Sequence, residues 1–333
     1  MNASVRRRSG GRRNGGRQSS VRRPIEPGYL LLEREGALRQ RVEAAYECLR
    51  ACDLCPRRCG VDRLRGEAGF CRAVGEAVDV ASCTAHIWEE PPLSGSGGSG
   101  TIFFSHCTAR CLFCQNYPIS QLGVGRPHTP SELAEKMLRL QARGCHNINL
   151  VTPTHYVSHI LATVAAAMDG GLRIPIVYNS SGYETVETLR LLEGVVDIYL
   201  PDAKYTDDAV AAEIMGFRGY VAQNRLALRE MQRQVGIELL LDAQGLARRG
   251  MIVRHMVLPG NLSQTPEVLR WIAEELSPRT YVSLMSQYFP AHRAVDHPLL
   301  GRRLTEEEYE AALVAFDESG LERGWRQEMD PLY

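Results

Sequence analysis

From residue 101 onward, short apolar runs alternate with segments of helical period, and that alternation leaves few folds open. Strand-like runs cover residues 101–105, 147–152, 174–179, 196–200, 237–242, 251–258 and 281–285. Helical patterns cover 129–143, 157–168, 184–192, 207–215, 220–235 and 266–276. Thr129-Pro-Ser-Glu132 reads as a helix start, with Thr as cap, Pro at the first position and Glu at the capping-box position. Thr305-x-x-Glu308 caps a last helix. The runs at 237–242 and 251–258 could form a hairpin across Gln244-Gly245. Strands alternating with helices call for a parallel sheet with helical crossovers, an α/β fold. In such a sheet, ligands gather at the carboxyl ends of the strands.

The first of these strands, Thr101-Ile-Phe-Phe-Ser105, feeds directly into Cys107-x-x-x-Cys111-x-x-Cys114. A loop that short can wrap three thiolates around one face of an iron–sulfur cube. Three ligands are one fewer than an electron-transfer cluster uses, so one iron stays open to an exogenous molecule. Zinc is the competing reading, with neighbouring His106 as fourth ligand. Three unrelated buried thiols are the bland one.

A second group precedes it: Cys52, Cys55, Cys59 and Cys71, on turns bearing Pro and Gly. Four thiolates suit a tetrahedral zinc site or a fully ligated auxiliary iron–sulfur cluster. Cys48 lies close enough in sequence to substitute as a ligand, while Cys83 and Cys145 read as core residues. Clustered C-x-x-C spacings without a signal peptide suggest metal and a reducing cytoplasm rather than disulfides. No apolar run approaches the ~18 residues needed to span a membrane.

The zero net charge hides an asymmetry: residues 1–23 carry eight Arg and no acid, so the remainder carries about −8 by subtraction. The tail reads as a disordered, solvated segment rather than a transit peptide or a nucleic-acid arm. Of 39 basic residues only Lys136 and Lys204 are lysines. Lys204 follows a strand end two residues after Asp202, where a compact ammonium offers something a guanidinium does not. A salt bridge at the barrel mouth is the plainer reading. In Trp88-Glu-Glu-Pro-Pro-Leu-Ser-Gly-Ser-Gly-Gly-Ser-Gly100, Glu89 and Glu90 read as surface charges. The Ser/Gly run reads as a linker, or as backbone able to approach a cluster.

Taken together these residues resemble the radical S-adenosylmethionine (SAM) signature, with Phe113 as the aromatic before the third cysteine. The wider pattern is similar to the group around pyruvate formate-lyase-activating enzymes. It comprises Cys52-x-x-Cys55-Pro-Arg-x-Cys59-Gly-Val-Asp-Arg63, His86-x-x-Glu-Glu-Pro91, Ser94-Gly-x-x-Gly-Ser-Gly100, Asn179-Ser-Ser-Gly-Tyr-Glu184, Asp202-x-Lys204 and Pro259-Gly260. The resemblance implies a partial (βα)6 barrel, one [4Fe–4S] cluster on Cys107, Cys111 and Cys114, and bound SAM. It places Phe113, Asn179, Ser181 and Asp202 at SAM, and Lys204 and His255 near its carboxylate or the substrate. It implies a flavodoxin or ferredoxin as electron donor and a substrate that is a small molecule or a protein. Thr152-Pro-Thr-His155 stands where the family has Gly-Gly-Glu. Direct substrate modification is expected, with installation of a glycyl radical on a partner protein as the alternative. A non-catalytic zinc or iron–sulfur interaction protein is the competing class. The expected divisions are a tail over 1–24, a Cys-rich subdomain over 25–93, the barrel over 94–290 and a helical extension over 291–333.

Overall fold

The computed structural model describes residues 25–329, so the Arg-rich tail lies outside the described residues. Ten strands form one sheet: β1 Val78–His86, β2 Ser99–Phe104, β3 Arg126–His128, β4 Ile148–Val151, β5 Ile176–Ser180, β6 Ile198–Pro201, β7 Leu240–Leu241, β8 Ala247–Met256, β9 Tyr281–Met285 and β10 Arg323–Arg326. Their order is β10-β9-β8-β6-β5-β4-β2-β1-β3, with β7 on β8. From β2 through β4, β5, β6, β8 and β9 every neighbour is parallel. These six strands are those of a partial (βα)6 barrel, and the α/β expectation holds.

The helices form where their caps and periods direct. Thr129 and Thr305 each close a capping box, on helices Pro130–Ala142 and Glu306–Glu318. Alternation along the strands separates two apolar layers. Ile176, Tyr178, Tyr199 and Val253 pack with the helical layer. Val177, Ile198, Leu200 and Ile252 face the other way and enclose Leu93. The hairpin is present: Asp242 Oδ1 accepts from Gln244 N–H at 2.9 Å and Leu246 N–H at 3.0 Å, tightening the turn into β8.

The sheet extends beyond residues 94–290 on both sides. β1 pairs antiparallel with β2, and β10 pairs parallel with β9. Their sequences hid them, since β1 breaks alternation at Ser82-Cys83-Thr84 and β10 is mostly Arg and Gly.

Two local expectations are corrected. The Ser/Gly run is not beside the cysteine loop; it enters the opposite, amino end of β2. There a Cβ on Gly97 would lie 2.1 Å from the Gly144 carbonyl, so the glycines permit close backbone packing. Glu89 and Glu90 are not surface charges either, because both bury their carboxylates against the Arg254 guanidinium.

Asp197 ties the amino-terminal segment to the barrel. Its Oδ1 accepts from Gly28 N–H at 2.7 Å and its Oδ2 from Ile176 N–H at 3.0 Å. Asp197→Ala leaves both buried donors unpaired and is expected to cost about 3 kcal/mol in denaturant unfolding of the cluster-free protein. Burial, opposed by those two donors, pushes the Asp197 carboxyl up to about 7. A folded-state value above the unfolded one means the native chain holds a proton that the unfolded chain has released. Wild-type stability should therefore fall as pH rises from about 4 towards 7, and Asp197→Ala should flatten that slope. A wild-type slope of the opposite sign would refute the assignment.

Candidate functional site

The chain leaves β2 at Phe104 and reaches the first cysteine of the loop, Cys107, three residues later. His106 takes a left-handed backbone, φ +69°. Its Nε2 sits 3.4 Å from Asp79 Oδ2. The loop is then held by backbone. Arg110 N–H and Leu112 N–H donate to the carbonyls of Met215 and Ile214 at 2.9 and 2.8 Å, and Ala294 N–H donates to that of Leu112 at 3.0 Å. Ala109 N–H donates to Cys107 Sγ at 3.3 Å, and Cys114 Sγ lies 3.1 Å from Ser120 Oγ. Burial pushes the Cys107 thiol up to about 11 and the Cys111 thiol further. Such thiols stay protonated at neutral pH until a cation displaces their protons.

The end of β6 supplies the facing charges. Lys204 Nζ is 2.7 Å from Asp202 Oδ2, and both are largely buried. Burial opposes the lysine's charge, but Asp202 and then Cys111 outweigh it, so its pKa rises. Next in sequence, Tyr205 is buried with its hydroxyl unpartnered. Asn179 stands one residue before the end of β5, in register with Val151 and Leu200. The Ser181 carbonyl accepts from Tyr220 Oη at 3.1 Å. Phe113 is buried edge-on to Tyr288, ring centroids 5.6 Å apart.

His255 lies one residue before the end of β8, and its side chain is turned into the protein. It is fully buried, with Nδ1 2.6 Å from the Ala203 carbonyl and Nε2 2.9 Å from Thr265 Oγ1. Burial holds its pKa down to about 4. Both nitrogens are engaged within the protein, so none is left for a substrate, and the ring instead braces the segment that carries Lys204.

Sequence reasoning placed Arg254 at a strand end but gave it no role. It lies on β8 opposite Ser283, with Nε 2.8 Å from Glu90 Oε1 and Nη2 2.7 Å from Glu90 Oε2. Glu89 contacts the same guanidinium. The cavity beside them is also lined by Trp88, Met285, Gln287 and Trp325. Glu-Glu-Pro in front of the Ser/Gly run was the available signal.

Cys52, Cys55, Cys59 and Cys71 line a single cavity, together with Arg57, Arg63, Gly69 and His155. Cys48 does not, because its thiol donates to the Ala44 carbonyl within its own helix at 3.4 Å. Cys145 is buried in the main core and Cys83 packs against it. Arg63 donates to the His155 carbonyl at 2.7 Å. Thr152-Pro-Thr-His155 thus supports this second cysteine group. Among the described residues no three His, Cys, Asp or Glu side chains converge as a single ion requires.

The Radical SAM superfamily model matches residues 101–272 of this sequence. Uncharacterized protein MJ0674 of Methanocaldococcus jannaschii is 32% identical over 295 residues, 85% of this chain and 79% of that protein. Uncharacterized protein MJ0808 of the same organism is 25% identical over 270 residues, 74% of this chain and 73% of that one. Among solved structures, HydG, described as a maturase of the [FeFe]-hydrogenase, overlaps 68% of this chain at 11% identity with a TM-score of 0.47. This chain spans about half of that neighbour, 51%.

Proposed function

Because the chain belongs to the radical SAM superfamily, we propose that Cys107, Cys111 and Cys114 hold three irons of a [4Fe–4S] cluster and leave the fourth to SAM. Enzymes of this superfamily use one electron from that cluster to cleave SAM, and the resulting 5′-deoxyadenosyl radical takes a hydrogen atom from substrate. Flavodoxin or ferredoxin supplies the electron. The donor set fits such a group. Cys107, Cys111 and Cys114 come from one short loop and offer three thiols and no other ligand type, as three irons of such a cluster require.

The observation that carries the reading is the Lys204–Asp202 pair beside Cys111, with the unpartnered Tyr205 hydroxyl next to it. An ammonium, a carboxylate and an unpartnered hydroxyl close to Cys111 suit a zwitterionic amino acid group. In this reading Asn179, Ser181 and Asp202 line the SAM site and the Phe113 backbone flanks the adenine. Lys204 offers its ammonium to the SAM carboxylate or to substrate.

Within the superfamily we place the chain near the pyruvate formate-lyase-activating enzymes, acting on its substrate directly rather than on a partner's glycine. What supports direct action is the crowding of the loop by the chain itself. Arg57 donates to the Thr108 and Gly216 carbonyls at 2.6 and 2.7 Å. On the other side His292 stacks on Tyr117 at 4.6 Å, and Arg293 reaches the Arg110 carbonyl at 3.2 Å. A small molecule or short peptide enters such a mouth more readily than a folded partner. Anaerobically reconstituted protein with dithionite and SAM should release 5′-deoxyadenosine, and Asn179→Ala with Asp202→Ala should weaken SAM binding by roughly 10–100-fold. Unchanged SAM affinity would remove those residues from the site. Deuterium passing from a partner protein's glycine into 5′-deoxyadenosine would replace direct action with glycyl-radical installation.

A further inference from the structure

The cavity beside Glu89, Glu90 and Arg254 is built across three strands. Arg254 on β8, Ser283 on β9 and Trp325 on β10 stand on one rung, since Ser283 is in register with both of the others. Residues 88–91, which follow β1, contribute to the same lining. The volume enclosed is about 250 Å³. A drug-sized molecule takes a site of ~300–1,000 Å³, so this one suits a single side chain or a small amine.

The charges of the cavity do not cancel. Arg254 answers both oxygens of Glu90, at 2.8 and 2.7 Å. Glu89 meets the same guanidinium through Oε2 alone. Its Oε1 receives no hydrogen bond among the described residues; His86 Nδ1 stands 3.8 Å from it. The Glu89 side chain is nonetheless only 8% exposed. Arg326 also lines the cavity, but it pairs with Asp317 and lies over the Phe316 ring. Two carboxylates against one guanidinium leave one negative charge uncompensated in a largely desolvated setting.

Two of the three tryptophans of the chain border that charge. Trp88 is 83% exposed, an indole that the described residues leave uncovered. Trp325 is fixed by stacking on Tyr281, ring centroids 5.6 Å apart. An open indole beside a half-bonded carboxylate favours a cation, because the ring quadrupole and the carboxylate attract the same charge. An anion would meet the surplus negative charge. A neutral apolar group would cover Glu89 Oε1 without giving it a partner.

The cavity also reaches the cysteine loop. Gln287 lines it, and the Gln287 carbonyl accepts from Gln115 Nε2 at 3.1 Å. Gln115 directly follows Cys114. Resting on the reading of that loop as the SAM-cleaving site, we propose that the cavity bordered by Trp88, Glu89 and Trp325 binds a cationic group of the substrate. That group is an ammonium or a guanidinium, of the kind a lysine or arginine side chain carries, and the rest of the substrate extends past Gln287 towards the loop.

The test is isothermal titration calorimetry of the anaerobically reconstituted full chain with three probes. Nα-acetyl-arginine amide and Nα-acetyl-lysine amide each carry one positive charge, and Nα-acetyl-citrulline amide is a neutral isostere of the first. At least one cationic probe should bind, and the citrulline probe should bind about 10-fold more weakly or worse. Glu89→Gln keeps the Glu90–Arg254 pair and should weaken the cationic probe by roughly 10-fold. Trp88→Ala should weaken it by roughly 3–30-fold. Far-ultraviolet circular dichroism checks that both variants are folded. A preference for arginine amide identifies a guanidinium and a preference for lysine amide an ammonium, and either upholds the proposal. No binding of either cation, citrulline amide bound as well as arginine amide, or unchanged affinity in either variant overturns it. Cys111→Ala, which is expected not to cleave SAM, should bind the cationic probe as wild type does. Probe binding that depends on Glu89 and Trp88 in a wild-type chain unable to cleave SAM would uphold the cation site and sink the reading of the loop. SAM cleavage without probe binding would sink the cation site alone.

Discussion

Cys111→Ala is expected to abolish SAM cleavage while the barrel remains folded. Cys111 is the middle cysteine of the loop, and the charges of both Cys107 and Cys114 bear on it, as do those of Lys204 and Asp202. Loss of an outer-shell partner at a metal centre typically costs about 10–100-fold, so loss of a ligand facing the charged pair should exceed roughly 100-fold. The fold should survive because the loop is held by main chain. The bonds from Arg110 and Leu112 to residues 214–215, from Ala294 to Leu112, and from Gln121 Nε2 to the Cys111 carbonyl do not use the thiol. The expected result is no 5′-deoxyadenosine above background, about four fewer irons per chain, and unchanged far-ultraviolet circular dichroism. Full turnover by this variant would overturn the assignment of the cluster to the loop after β2.

The largest effect on stability is expected at Arg254. Its guanidinium sits between Glu89 and Glu90, all three largely buried, and Ala203 N–H donates to its carbonyl at 2.8 Å. Burial alone would raise the Glu90 carboxyl, but Arg254 more than offsets this and holds it below the usual range. Arg254→Met leaves two adjacent carboxylates buried without a counter-charge. Breaking a buried pair in that way costs about 3–5 kcal/mol. The triple change Arg254→Met, Glu89→Gln and Glu90→Gln should recover most of the loss, because no uncompensated charge remains. Denaturant unfolding of the cluster-free protein measures both. A triple variant no more stable than Arg254→Met would show that the cost comes from lost packing against β9 rather than from stranded charge.

The barrel was legible in the chain because its signals are local. The boxes at Thr129 and Thr305 depend on residues three apart, and the six parallel strands of the barrel announce themselves as apolar runs between helical periods. The three-cysteine loop stands out for the same reason, since Cys107, Cys111 and Cys114 lie within eight consecutive residues. Polar residues at strand ends, Asn179, Asp202 and Lys204, followed from the topology such strands impose.

What tertiary structure alone decided concerns groups far apart in sequence. Glu89 and Glu90 look like solvated charges until β8 brings Arg254 to them across about 165 residues. His255 looked like a strand-end catalyst, yet the Ala203 carbonyl and the Thr265 hydroxyl, arriving from two other segments, occupy both its nitrogens. The sequence showed four amino-terminal cysteines as possible ligands of either zinc or a cluster. Only the fold brings them onto one cavity, beside an unpartnered Arg63. Pattern along a chain reports which face a residue turns to its own neighbours. The cost of burying a charge is set by whatever the fold places opposite it, and that partner has no fixed spacing in sequence.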